Sequence, residues 1–263
     1  MPLPYYVSPE QMMKDKAEYA RKGISRGKAI VTIEYRDGVL LVAENPSTLL
    51  HKISEIYDRI AFAGVGKYNE FENMRVAGVR HADVKGYSYS RGDVSAKSLA
   101  NAYSQALGNI FTQDIKPFEI EVLVVEVGDG NGTKNEIYHI LYDGTIEDEK
   151  NYAAMGGQSD EIRRYLKDNY QEGLDFSGAV KLGVRALMVT QNKTLTERDL
   201  EVAVLDRGKE HHTLERVKAL DEKTHNVFLA TARFGPPPSP TAERPHPRPS
   251  IEPGSFVILV VAK

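Results

Sequence analysis

β-prone apolar residues fill two short runs, AIVTIEY at 29–35 and VLLVA at 39–43, on either side of Arg36-Asp37-Gly38. Asp-Gly between such runs predicts a tight hairpin, because glycine accepts φ > 0 at little steric cost. Ahead of the hairpin the period changes. Met13, Ala17, Ala20 and Ile24 recur at spacings of four, three and four, which puts them on one narrow face of a helix. Ser8 can cap that helix, Pro9 suits its first position because a missing N–H is no loss there, and Gln11 completes a capping box. Gly23 marks its end. Residues 1–7 hold two prolines and two tyrosines without periodicity and are expected to form an extended arm.

Downstream, 53–63 reads as one strand that runs into Gly64-Val65-Gly66-Lys67. That tetrapeptide approaches a phosphate loop and fails it twice. The motif Gly-x-x-x-x-Gly-Lys-Ser/Thr needs its first glycine so that amides can wrap phosphate, and its hydroxyl to meet Mg²⁺. Ala61 and Tyr68 stand at those two places. Two helices follow, one with Tyr68, Phe71, Met74, Gly78 and Ala82 on a face, the other with Leu99, Ala102, Tyr103, Ala106, Leu107 and Ile110 and a cap at Asp93 or Ser95. The small residues Gly78 and Ala82 would let this pair approach closely.

Strands are expected at 120–127 and 135–142, with Gly128-Asp129-Gly130-Asn131-Gly132 between them as a surface turn. A phosphate cradle would open a helix instead. Asp143-Gly144 turns the chain into a strand at 145–154, and Met155-Gly156-Gly157 leads to helices at 159–170 and 177–189. Strands at 200–205 and 213–217 turn on Asp206-Arg207-Gly208, and a last helix covers 219–233. Proline dominates 234–252, which predicts a disordered tail. Strands grouped between helix pairs exclude strict βαβ alternation. Two sheets packed face to face, with helices on both outer faces, accommodate the order: an α+β sandwich of four layers, αββα.

The 263 residues carry a formal charge of −3, so there is no basic footprint for nucleic acid. Zero cysteines exclude a disulfide framework and thiolate metal sites, and fit a reducing cytoplasm. The N-terminal MPLPYYVSPEQMMKDK lacks the apolar core of a signal peptide, and no run approaches the roughly 20 apolar residues of a membrane span. A cytoplasmic protein with no membrane partner is expected. No cofactor or metal is called for: the seven histidines lack the spacing of a zinc helix, and the adjacent pair His211-His212 would point to opposite faces of a strand.

A series of segments in order carries a more specific signal: PYYVSPEQ at 4–11, EYARKGI at 18–24, DGVLLVAENPS at 37–47, HKI at 51–53, FAGVGKYNEF at 62–71 and LEVAVLD at 200–206. From residue 1 to about 233 the chain resembles a proteasome core α subunit of the actinobacterial type. The resemblance implies the αββα fold of the N-terminal nucleophile hydrolases at 9–233, preceded by a gate arm at 1–8 and followed by the tail at 234–263. It implies a heptameric α ring stacked on proteolytic β rings, whose pore the N-terminal arms occlude. Pro4, Tyr5, Tyr6 and Ser8 fall in that gate, and Pro9 and Tyr19 match positions bordering it. A pocket between neighbouring α subunits would accept the C-terminal tail of a ring AAA ATPase that delivers unfolded protein, with the tail carboxylate on Lys52 and with Glu18 and Gly66 nearby. The apolar run FVILVVA at 256–262 departs from the polar ends usual in such subunits and leaves the tail's role open.

The chemistry of these residue types agrees. A carboxylate from another chain needs a fixed cation, and a lysine offers charge-assisted hydrogen bonds worth about 1.5–3 kcal/mol when partly desolvated. Catalysis by this fold needs a threonine whose own α-amine is the base, so the threonine must be the first residue. Lys28 stands at that place with 27 residues ahead of it, and the Gly-Thr pairs 132–133 and 144–145 lie beyond the hairpin. No Gly-x-Ser-x-Gly elbow is present. The expectation is a non-catalytic subunit with no catalytic residue; the alternative is a self-processing β-type threonine hydrolase of the same fold.

Overall fold

The structure is a computed structural model that describes residues 8–129, 132–189, 195–208 and 214–216. Residues 1–7 with Pro4, Tyr5 and Tyr6, the pair His211-His212, the helix expected at 219–233 and the tail lie outside these. Helix α1 (Pro9–Ile24) opens the chain, and the hairpin β1 (Ile30–Tyr35) and β2 (Gly38–Glu44) follows as expected. Ser8 Oγ accepts the Gln11 amide at 3.2 Å. The reciprocal half of the capping box is absent, because the Gln11 side chain turns forward to Asp15 at 2.7 Å. Gly23 does not end the helix; a Cβ there would meet Glu119 Oε2 at 2.3 Å, so the glycine admits that side chain.

The single strand expected at 53–63 is a hairpin, β3 (Ile53–Tyr57) and β4 (Ile60–Gly66), turning at Asp58-Arg59. Apolar residues on both sides of a turn without glycine made it read as continuous. Helices α2 (Tyr68–Ser88) and α3 (Ala96–Gln113) come next, α3 capped by Ser95, whose Oγ accepts the Ser98 amide. Gly78 lies under the Tyr103 hydroxyl, where a Cβ would stand 1.7 Å away, which is the close approach its size permits. Then β5 (Ile120–Glu126) pairs with β6 (Glu136–Ile140). The strand expected at 145–154 is two, β7 (Ile146–Glu149) and β8 (Tyr152–Met155), split at Asn151 with φ 69°. They belong to different sheets. Helices α4 (Ser159–Asn169) and α5 (Phe176–Val189) and strands β9 (Leu200–Asp206) and β10 (Leu214–Arg216) complete the described chain.

One sheet has the order β10-β9-β2-β1-β8, the other β3-β4-β5-β6-β7. All pairings are antiparallel. The strand period of two sorts side chains between layers. Val39, Leu41 and Ala43 of β2 face Ala61, Ala63, Leu123 and Val125 of the other sheet, whereas Leu40 and Val42 face the α4–α5 layer with Val180, Val184 and Leu187. On the far side Phe62, Val122 and Val124 pack under α2 and α3 with Phe71, Leu99 and Tyr103. The layers run αββα. Helix α1 belongs to neither outer layer: its Ala20 and Ile24 are buried within the inter-sheet cluster, so it closes one open end of the sandwich.

Candidate docking site

Lys52 sits where the loop after β2 enters β3. Its conformation is fixed from below by Glu201 of β9, which faces Ala43 in the ladder. The Glu201 carboxylate accepts the Lys52 amide at 2.9 Å, the Ile53 amide at 3.3 Å and Asn45 Nδ2 at 2.8 Å. Asn45 Nδ2 also donates to the Leu50 carbonyl at 2.7 Å, which closes the loop upon itself. A partly buried carboxylate with several donors is a rigid anchor, since releasing it would strand each donor.

The Lys52 side chain crosses between the sheets and donates from Nζ to the Lys28 carbonyl at 2.7 Å. Lys28 precedes β1, and its own Nζ pairs with the buried Glu44 carboxylate at 2.9 Å. Burial is the main influence on the Lys52 ammonium and pulls its pKa down to about 8, against Glu44 and Glu201, which raise it, and with Lys28, which lowers it further. Beside these groups lies a cleft of about 350 Å³ bordered by Ser25, Arg26, Lys28, Glu44 and Gln158. The groups form a cationic rim over a buried anion. A carboxylate arriving from outside meets ammonium groups that are already positioned and partly stripped of water.

Gly66 stands behind this site. It takes φ 108°, and a Cβ would fall 1.9 Å from the Glu119 carbonyl, so only glycine lets β4 bend into α2 there. A Cβ on Gly27 would in turn stand 3.1 Å from the Gly66 nitrogen, so the two glycines bring the turn before β1 against the end of β4. Glu18 is exposed on α1 in a neighbouring groove, and Ser25 borders both the groove and the cleft. Tyr19, on the other side of α1, hydrogen-bonds Glu119; burial works against that carboxylate, but bonds from Lys116 and Tyr19 outweigh it and hold its carboxyl below the usual range. Ser8 and Pro9 form the start of α1. The structure thus brings Lys52 and Gly66 to one end of the sandwich, sets Glu18 one groove away, and turns Tyr19 elsewhere. Glu44 and Glu201 were missed from sequence; the available signal was a glutamate near one end of each otherwise apolar strand.

The phosphate-loop near-miss is backbone in use: the Gly64 amide donates to the Lys52 carbonyl at 3.0 Å and the Lys67 amide to Glu119 at 3.1 Å. At Gly128-Asp129 the amides donate to Asn135 Oδ1 and Thr133 Oγ1. His139, Glu147 and Glu149 bring ligand atoms within 4.8 Å of one another. The Arg163 guanidinium already lies 2.6 Å from Glu149 and 3.1 Å from His139 Nδ1, so a cation of the protein's own occupies that group. Among the described residues no helix is long and apolar enough to cross a membrane.

A family model described as "Proteasome subunit" matches residues 24–205. A protein described as "Proteasome subunit alpha" from Thermomonospora curvata is 54% identical over 220 residues, 83% of this chain and 95% of that protein. Those of the same description from Xylanimonas cellulosilytica and Rhodococcus opacus are 51% and 47% identical over 246 and 251 residues, covering 90% and 92% of this chain and 98% and 97% of their own. With two five-stranded sheets between helix pairs, and with the family match running from the end of α1 through β9, the chain belongs to the proteasome subunit family, among its alpha subunits.

Proposed function

We propose that the chain is a non-catalytic ring subunit, which gates substrate entry to proteolytic β rings and docks a ring ATPase by the C-terminal tails of that partner. It would assemble as an α heptamer on β subunits in the cytoplasm, pass unfolded protein inward, and bind neither nucleic acid nor membrane. The observation that carries the docking reading is the Lys52 ammonium, held by the carbonyl of Lys28, a residue that with Arg26 borders the adjacent cleft.

Two features support the absence of catalysis. The head of β1 offers Lys28, its ammonium engaged with Glu44, where a threonine nucleophile would stand. Helix α1 fills the inter-sheet mouth beside it with Ala20 and Ile24. Thr32 does not substitute, because it lies inside the β1 ladder and has no free α-amine to serve as base. The division into a gate arm at 1–8, an αββα domain at 9–233 and a tail at 234–263 belongs to the same proposal, as do the gate roles of Pro4, Tyr5, Tyr6, Ser8, Pro9 and Tyr19. Electron microscopy of the purified protein tests assembly, since heptameric rings are visible directly. Degradation of a folded, tagged protein by the complete particle and its ATPase, measured against small-peptide cleavage, tests docking.

A further inference from the structure

We propose that Glu119 is a positioning residue for the gate: it seats α1, the helix that carries the arm, on the corner between β4 and α2, and so sets how firmly the gate is shut. The proposal rests on the gate reading above and adds to it the side chain that fixes the helix. Glu119 stands just ahead of β5 and is engaged from three directions. Its amide donates to Glu70 Oε2 in the first turn of α2 at 2.7 Å, and its carbonyl accepts the Lys67 amide at 3.1 Å where β4 ends. Its side chain turns the other way, toward α1. There it lies along Gly23, where a Cβ would strike the carboxylate and its stem together, and it accepts a hydrogen bond from the Tyr19 phenol. Helix and corner are therefore joined through a single residue whose two ends cannot move apart.

The carboxylate is itself held. Lys116 Nζ lies 3.0 Å from Glu119 Oε1 and 2.9 Å from Glu70 Oε1, so one ammonium ties the two carboxylates together. The same ammonium stands 5.8 Å from the centre of the Tyr19 ring, within reach of a cation–π contact. Lys16, Tyr19 and Gly23 recur on α1 at spacings of three and four, which places them on one stripe of the helix. Lys16 is buried, and its Nζ donates to the Phe111 and Asp114 carbonyls at 3.1 and 2.7 Å, at the end of α3 where a cation is favoured. Beside this polar stripe runs the apolar one, with Ala20 and Ile24 in the inter-sheet cluster. Burial of apolar side chains is non-directional and leaves the helix free to slide or tilt by small amounts. Hydrogen bonds weaken steeply as they bend, so the polar stripe is what sets the register of α1. Glu119 links that stripe to the sheet, since β5 begins at the next residue. The arm leaves α1 at Ser8, three turns or about 16 Å along the helix from Tyr19, so a small tilt at the seat is enlarged at the gate.

The test uses the complete particle, with α and β rings, and takes the ratio of its cleavage rates for a nonapeptide and a tripeptide. Glu119→Gln keeps the size of the side chain and both main-chain bonds but removes the charge that holds Lys116 and the Tyr19 phenol. Tyr19→Phe removes one hydroxyl. Each is expected to raise the ratio about threefold or more, and the two together to do little more than either alone, because they break one contact. A Glu119 that served only the fold would lower the melting temperature of Glu119→Gln and leave the ratio as it was, and that result overturns the proposal. Effects that multiply in the double variant show two separate causes and overturn it as well. Should Glu119→Gln fail to assemble, Tyr19→Phe still decides, since a ratio equal to that of the unaltered particle removes the seat. Deletion of residues 2–7 tells this failure from that of the gate reading. If the deletion raises the ratio and the substitutions do not, the gate stands and the seat falls; if the deletion has no effect, both fall together.

Discussion

The Lys52 ammonium donates to the Lys28 carbonyl at 2.7 Å, and this bond ties the entrance of β3 in one sheet to the approach of β1 in the other. The donor therefore cannot swing freely into solvent. Lys52→Ala is expected to leave ring assembly and small-peptide cleavage by the complete particle unchanged while removing ATPase-dependent protein degradation. A charge-assisted contact of about 1.5–3 kcal/mol corresponds to roughly tenfold to a hundredfold in affinity per subunit, and avidity around the ring compounds the loss. Degradation of a folded, tagged substrate at an unaltered rate would remove the docking assignment.

Docking should fall as pH rises through about 8, where the Lys52 ammonium, depressed by burial, loses its proton. Stability runs the other way. Unfolded lysine keeps its proton to about 10.5, so between about 8 and 10.5 the unfolded chain binds more protons and this group's contribution to stability rises with pH. Glu44→Gln removes a charge that raises the Lys52 pKa, so the alkaline fall in docking should move to lower pH. Measuring ATPase-dependent degradation against pH in the two proteins checks the direction.

Glu201→Ala would leave the Lys52 and Ile53 amides and Asn45 Nδ2 without their acceptor. Each buried donor stranded in this way costs about 1–3 kcal/mol. A lower melting temperature together with weakened docking is expected in thermal unfolding and degradation assays. An unchanged melting temperature would show that the loop holds its shape without this carboxylate.

Gly66→Ala places a Cβ 1.9 Å from the Glu119 carbonyl at φ 108°. A non-glycine residue strained in this region costs of order 1–3 kcal/mol, and the contact with backbone adds to it. Thermal unfolding should show a drop of several degrees, by the scaling of about 2–4 °C per kcal/mol for chains of this size. Because Gly66 acts from behind the Gly27 turn, docking should weaken as well.

Removal of residues 2–7 is expected to speed cleavage of longer peptides by the complete particle, with little change for the shortest ones. Ser8 must be kept, since its hydroxyl caps α1. Equal rates for long peptides in the two forms would argue against a gate.

Most of the secondary structure was legible because burial on one face imposes a period of two or of 3.6 on the chain. The β1–β2 hairpin shows this directly: Val39, Leu41 and Ala43 face one layer and Leu40 and Val42 another. One hairpin, β3–β4, and one crossing between the sheets, from β7 to β8, were not legible. Asp58-Arg59 turns without a glycine, and its Arg59 side chain is held by the Val127 carbonyl at 2.9 Å, a contact 68 residues away. The polar β7, with sequence IEDE, pairs at a sheet edge, where no apolar alternation is required.

By itself the sequence determined the helix start at Ser8 and the absence of a threonine at the head of β1, because each depends on capping or residue identity, and its order of elements accommodated the αββα layering. It also carried Lys52 as a candidate, through a resemblance. Tertiary structure alone decided what Lys52 can do, since its charge and aim come from Glu44, Lys28 and Glu201, carried by β2, the approach to β1 and β9. Electrostatic and hydrogen-bond partners are chosen by proximity in space, and Asn45 meets Glu201 across 156 residues of chain with nothing in the intervening sequence to announce it.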